Sequence, residues 1–130
     1  MYHLEGSGPG FNLIYAILKL KGIEFEAKET PITQLITREN RFSDLSTIVH
    51  YLDERYPVPQ LISGDPVNKA RHRQICKYIH RNPALANGIA TRANPFVFGE
   101  KITLLDLIIW VHTDDEPFLK FMDTVINDTN

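Results

Sequence analysis

A helix that is stopped twice constrains this chain more than any other feature. In residues 47–61, TIVHYLDERYPVPQL, Ile48, Tyr51 and Leu52 recur at helical spacing until Tyr56-Pro57 ends the run. Pro59 follows two residues later and forbids a return to helix. The chain therefore divides into a first half, residues 1–57, a linker at 58–64, and a second half at 65–130. At 130 residues it is one domain, or two very small subdomains sharing a core.

Hydrophobic content of 43% and charged content of 23% fit a globular protein. A formal charge of −2 gives no reason to expect direct nucleic-acid binding. No apolar run approaches the roughly 20 residues of a membrane span. The start, MYHLEGSGPG, lacks the basic head and apolar core of a signal peptide. The single cysteine, Cys76, excludes an intramolecular disulfide and suits a reducing compartment, so a cytoplasmic location is expected.

Residues 1–6 read as a short strand ending in a turn at Gly6-Ser7-Gly8-Pro9-Gly10. A helix is predicted from Phe11 to Leu20, with Gly22 as its C′ residue and Lys19 and Lys21 favourable at the carbonyl end. Residues 23–29 and 32–37 alternate as strands do, Arg38-Glu39-Asn40 makes a turn, and Arg41-Phe42 is a brief edge. Ser43 is the predicted N-cap of the helix through Arg55. The order is β-α-β-β-β-α, and residues 23–37 leave no room for a helix between their strands.

In the second half Asp65-Pro66 starts a helix that Asn82-Pro83 ends. Residues 84–94 are weakly helical, with Gly88 as an interruption. Thr103 and Asp106 have capping-box spacing at the head of an almost uniformly apolar helix over 102–111, and Ile102 can staple onto Leu107. A chain this small is expected to leave part of that helix uncovered, which predicts a homodimer or an obligate hetero-complex.

These pieces resemble the glutathione S-transferase superfamily. Residues 47–61 are similar to the end of its thioredoxin-like domain. Lys21-Gly22-Ile23 and Pro31-x-x-x-Leu35 sit where it has "KGI" and "VPxL", and Gly99–Asp106 resembles its "GxxxTxxD" helix start. The resemblance is strongest to the stringent starvation protein A branch, which binds bacterial RNA polymerase without catalysis. It implies an α+β fold: a compact thioredoxin-like first half with one helix missing, then a truncated all-helical half. It also implies a cis Thr30–Pro31 bond.

Thiol conjugation in that superfamily needs a hydroxyl or thiol near the first helix N-terminus. Here the family position falls near Gly10-Phe11, so the catalytic candidates reduce to Ser7 and Tyr2, and neither is firm. The resemblance puts glutathione-binding roles on Pro31, Asp44 and Ser46, but Leu45 stands where the family has a serine, and Ser46 lies about 100° further round the helix. Glutathione is the one cofactor the resemblance raises. The plain reading of Ser43 and Asp44 is a helix cap. His72, Cys76 and His80 fall at i, i+4 and i+8, a stripe of about 12 Å that is too long for one ion, so no metal is expected.

Tyr56, Pro57, Val58 and Pro59 form the candidate partner surface, with Val58 replacing the histidine of the related patch. Lys69, Arg71 and Arg73 open a basic helix that is either a solvated face or a site for an acidic partner. Three functions stay open. One is a non-catalytic binding protein acting on transcription through RNA polymerase or an associated protein. Another is a minimal glutathione S-transferase, and the third a structural dimerisation module.

Overall fold

The computed structural model describes residues 2–128, which fall into two compact units, residues 2–59 with 125–128, and residues 60–124. The first unit has the element order that the sequence predicts. It comprises β1 (Tyr2–Gly6), α1 (Gly8–Leu20), β2 (Phe25–Glu29), β3 (Gln34–Ile36), β4 (Arg41–Phe42) and α2 (Leu45–Arg55). The strands lie in the order β2-β1-β3-β4, with β1 parallel to β2 and the other pairs antiparallel. α1 is the crossover that a parallel pair requires, whereas residues 30–33 join β2 to β3 without one.

Alternation along the strands separates two faces. Tyr2, Leu4, Phe25, Leu35 and Phe42 share one, and α1 and α2 both pack there. Tyr15 of α1 meets Phe25 edge-on at 5.2 Å, Tyr51 of α2 lies 5.0 Å from Phe42, and Leu4 and Leu35 are wholly buried. The opposite face presents His3, Glu5, Glu26, Lys28 and Gln34. Gln34 Nε2 donates to Glu5 Oε1 at 2.9 Å, and His3 Nδ1 is 3.6 Å from Glu26 Oε2. A helix laid on that face would find little apolar surface to cover, which is why the unit holds together without one.

The helix ends correct two expectations. α1 begins at Gly8 rather than Phe11, because Gly6 (φ +145°) and Gly8 (φ +77°) complete the turn in three residues and Pro9 fits the first helical turn. The N-cap of α2 is Asp44, not Ser43: its carboxylate accepts from Thr47 N at 3.0 Å and Thr47 Oγ1 at 2.7 Å. Gly22, at φ +67°, closes α1 as predicted. Its N–H donates to Lys19 O and that of Ile23 to Leu18 O, the paired bonds of a Schellman end. The Thr30–Pro31 bond is trans, against the family-based expectation; the cis bonds among the described residues are Val58–Pro59 and Asn94–Pro95. Thr30 is held instead by its N–H to Gly6 O at 3.0 Å and its hydroxyl to Ile32 O at 3.0 Å.

The second unit contains α3 (Pro66–Arg81), α4 (Leu85–Arg92), α5 (Leu104–His112) and most of α6 (Glu116–Asp128). Asp65 caps α3 by accepting from Asn68 N at 3.0 Å, as its Asp-Pro start predicts. Gly88 does not interrupt α4. It sits on the exposed side, and its helix penalty of about 1 kcal/mol is outweighed where Ala86 and Ala90 bury on the other. The uncovered surface expected of α5 is limited to one side: Leu104, Leu105, Leu107 and Ile109 are buried, whereas Ile108, Trp110 and Val111 are half-buried. α3 and α4 pack on α5, and Trp110 Nε1 donates to Asp123 Oδ1 of α6 at 3.1 Å. α6 has no counterpart in the sequence reading, although Phe118, Met122 and Ile126 bury at i, i+4 and i+8. Among the described residues no helix is long and apolar enough to cross a membrane.

Candidate functional site

The first unit gathers its polar termini at one edge of the sheet. β4 runs in the direction of β1, since each is antiparallel to β3, so α1 and α2 both start beyond the same strand ends. Residues 30–33 turn at that edge as well. The contacts there are close. A Cβ on Gly6 would stand 2.4 Å from Thr33 Oγ1, so only glycine fits, and one on Gly10 would stand 3.7 Å from Leu45 Cδ1. Two helix N-termini facing one edge favour a carboxylate or other anion. This is the candidate site.

Its residues are unevenly equipped for thiol chemistry. Ser7 is exposed at the N-cap of α1, and its hydroxyl makes no capping bond. Tyr2 lies at the opposite end of β1 from Ser7, roughly 16 Å away in extended chain, so it is no partner in the site. Its hydroxyl is instead 3.1 Å from Tyr51 Oη and 2.9 Å from Tyr56 Oη. Burial, then these bonds, push it well above the ordinary phenol range. Tyr2 therefore ties β1 to the end of α2 and drops out as a catalytic candidate.

The glutathione candidates fare differently. Asp44 is at the edge, but both of its bonds go to Thr47, which hold its carboxyl below the ordinary value. Leu45 covers Gly10 with an isobutyl group that is 39% exposed, and nearby Ile32 is 68% exposed. Pro31 is exposed, in a trans bond. Ser46 is exposed one position along α2, and its carbonyl lies 2.8 Å from His50 Nδ1. These residues do not fit a glutathione site of the transferase kind: the expected hydroxyl is missing and an apolar side chain occupies its place.

The predicted partner surface is anchored by a residue that sequence reasoning placed in the Lys21-Gly22-Ile23 match and at the carbonyl end of α1, with no link to this segment. Lys21 has a fully buried side chain. Its ammonium donates to Asp53 Oδ1 at 2.9 Å, to the Tyr56 carbonyl, and to the Pro59 carbonyl at 2.7 Å. All three of its protons are therefore committed. Pro57 is exposed and Val58 stands out at 80% exposure between these clamped carbonyls, while Arg55 lies 4.9 Å over the Tyr56 ring. No local pattern links Lys21 to Asp53; only the folded chain brings them together.

On α3 Lys69 and Arg73 are exposed, and Arg71 stacks 4.9 Å over Phe98. Cys76 Sγ and His72 Nε2 are 3.5 Å apart, and burial raises the thiol, which keeps it protonated. Among the described residues no three His, Cys, Asp or Glu side chains gather as metal ligands. Thr103 and Asp106 form the predicted capping box. Buried Asp106 accepts from Thr103 N at 2.9 Å, Thr103 Oγ1 at 3.2 Å and Val97 N at 2.8 Å, so it also pins residues 96–99. Burial raises its carboxyl, with these bonds opposing.

No protein-family model matches this chain, and no curated protein matches it. Solved structures do. A glutathione transferase homolog from Burkholderia GL BGR1, with bound glutathione, is 18% identical over 96% of this chain and 90% of its own, at a TM-score of 0.68. A Tau class glutathione S-transferase from mango, Mangifera indica, is 19% identical over 98% and 78%, at 0.71. A glutathione S-transferase from Sinorhizobium meliloti 1021 is 14% identical over 94% and 86%, at 0.72. At these identities the likeness shows the fold: the chain has the architecture of glutathione S-transferases.

Proposed function

We propose that this is a glutathione-transferase-like binding protein that does not conjugate thiols. The observation that carries the reading is Leu45 seated over Gly10, where an apolar side chain replaces the expected hydroxyl. Asp44 gives its Oδ2 to Thr47, and with Leu45 beside it the edge lacks the hydroxyl that would complete an anchor for a glutamyl group. The binding face is the segment from Tyr56 to Pro59. Lys21 fixes its two flanking carbonyls, which lowers the ordering cost of presenting Val58 to a partner.

The partner in this reading is bacterial RNA polymerase or a protein associated with it, as the stringent starvation protein A resemblance suggests. Lys69, Arg71 and Arg73 supply salt-sensitive attraction to an acidic surface. A pull-down at low salt tests it. Wild-type protein should retain polymerase subunits, and Pro57→Ala with Pro59→Ala should weaken retention while far-UV circular dichroism stays unchanged. Absence of polymerase from the wild-type sample removes the transcription role. In that event a homodimer of this fold is the next reading, and its measurement is sedimentation.

A second reading rests on Ser7, an exposed hydroxyl with no capping bond at the start of α1. It makes the chain a minimal transferase. Turnover of 1-chloro-2,4-dinitrobenzene with glutathione, abolished by Ser7→Ala, would establish it against the binding reading.

A further inference from the structure

Away from the sheet edge, the second unit has a cleft of about 580 Å³ that neither reading uses. One wall is α4, through Ala90 and Thr91; the other is the start of α6, through Pro117, Phe118 and Phe121. Pro95 also lines it, and Phe121 is steadied by the Phe96 ring at 5.4 Å. The size and the apolar walls suit a small organic molecule.

The polar lining is Asn87, Thr91, Asp114 and Asp115, and its charged groups are all of one sign. Asp114 and Asp115 stand on the lining, and no cationic side chain does. Asp115 is partly committed, its Oδ2 accepting from Thr91 Oγ1 at 3.0 Å and its carbonyl from Leu119 N at 2.9 Å as α6 begins. Asp114 is different. Its backbone N–H donates to Asn87 Oδ1 at 2.6 Å, and Asn87 Oδ1 also accepts from Thr113 Oγ1 at 2.7 Å. The loop is thus fixed, while the exposed Asp114 carboxylate has no bond among the described residues. A carboxylate carried on a fixed loop, in a cleft that Phe118 and Phe121 also line, attracts a cation directly while the rings can add attraction through their faces.

From this we infer that the α4–α6 cleft is a binding site for a small organic ammonium ion with an apolar body. The ammonium pairs with Asp114 and the body lies between Phe121 and Pro95. The chemistry excludes anions as strongly as it admits amines.

Three probes of one shape test the assignment: 4-phenylbutylamine, 4-phenylbutan-1-ol and 4-phenylbutanoate, titrated into the full chain at pH 7 and followed by protein-observed NMR. The amine should saturate with a Kd on the order of a millimolar, as expected for a ligand of this size. Its shifts should map to residues 87–95 and 114–121. The alcohol should bind at least about tenfold more weakly, and the carboxylate should not saturate. Asp114→Asn should cost the amine about tenfold and leave the alcohol unchanged. Thermal midpoints of the variant check that it folds. Equal binding of all three probes, shifts that map elsewhere, an unaffected Asp114→Asn variant, or no saturation by the amine below about 10 mM would each overturn the site.

Discussion

Replacing Lys21 by methionine should destabilise the first unit more than any surface change in the chain. The side chain is fully buried, and its partner Asp53 is only 9% exposed. Methionine keeps much of the stem's packing but leaves a carboxylate in low dielectric without its counter-ion. Breaking one side of such a pair costs about 3–5 kcal/mol. The carbonyls of Tyr56 and Pro59 also lose a donor, although water can reach part of that segment. For a chain of 130 residues the loss corresponds to a fall in Tm of about 10–20 °C. Thermal melts followed by circular dichroism and by fluorescence of Trp110, the sole tryptophan, would read both units. Removing both charges, as Lys21→Met with Asp53→Leu, should recover most of the loss, because an apolar replacement of a buried pair is often near neutral. Recovery will fall short to the extent that Asp53 has a further interaction of its own. A single variant that melts within about 2 °C of wild type would refute the clamp and, with it, the rigid presentation of Val58.

Thr103→Ala should cost about 1 kcal/mol and Asp106→Ala about 3, since the first removes one hydroxyl bond and the second leaves the Val97 and Thr103 N–H groups without their acceptor; urea midpoints would rank them. The two shifted carboxyls should act oppositely with pH. Asp106, raised by burial, contributes stability below its unfolded value of 3.8 and loses it as pH rises through its folded value, so wild type should gain on Asp106→Asn between pH 7 and pH 4. Asp44, lowered by Thr47, contributes above 3.8 and loses it as pH falls through its folded value, so wild type should lose its advantage over Asp44→Asn in acid. Cys76 should alkylate with iodoacetamide at pH 8 at least about tenfold more slowly when folded than in denaturant, because burial keeps the thiol protonated. Glutathione should bind no better than about millimolar by calorimetry, and micromolar affinity would show that Leu45 leaves room for it.

What the sequence disclosed is what short-range chemistry decides. Asp65-Pro66, Gly22 and the Thr103–Asp106 pair each act over three or four residues, and each falls where it was placed. The missing crossover between β2 and β3 was legible from length alone. Ser43 and Asp44 were ambiguous because either can cap, and only the carboxylate's reach to Thr47 decides between them. α6 escaped because Asp115, Pro117 and the Phe118-Met122-Ile126 spacing follow a helix already counted as the last. Its omission made the expected exposure of α5 broader than the half-buried Ile108, Trp110 and Val111 show. The site edge was half legible. Leu45 could be read as a departure, but its seat over Gly10 depends on a sheet register that no local pattern contains. Tyr2 failed for the same reason, since its partners lie 49 and 54 residues away.

The charged side of the sheet carries a lesson about how such a chain can become small. A thioredoxin-like slab with a helix stripped from it would ordinarily expose a greasy strip and stick to its neighbours. Here the stripped side is already dressed for water: His3, Glu5, Glu26 and Lys28 hydrate the surface. Miniaturising this architecture thus requires two coordinated changes, shortening one connection to four residues and exchanging the alternate residues of three strands. A transferase shortened at that connection alone should precipitate, whereas one given both changes should stay in solution.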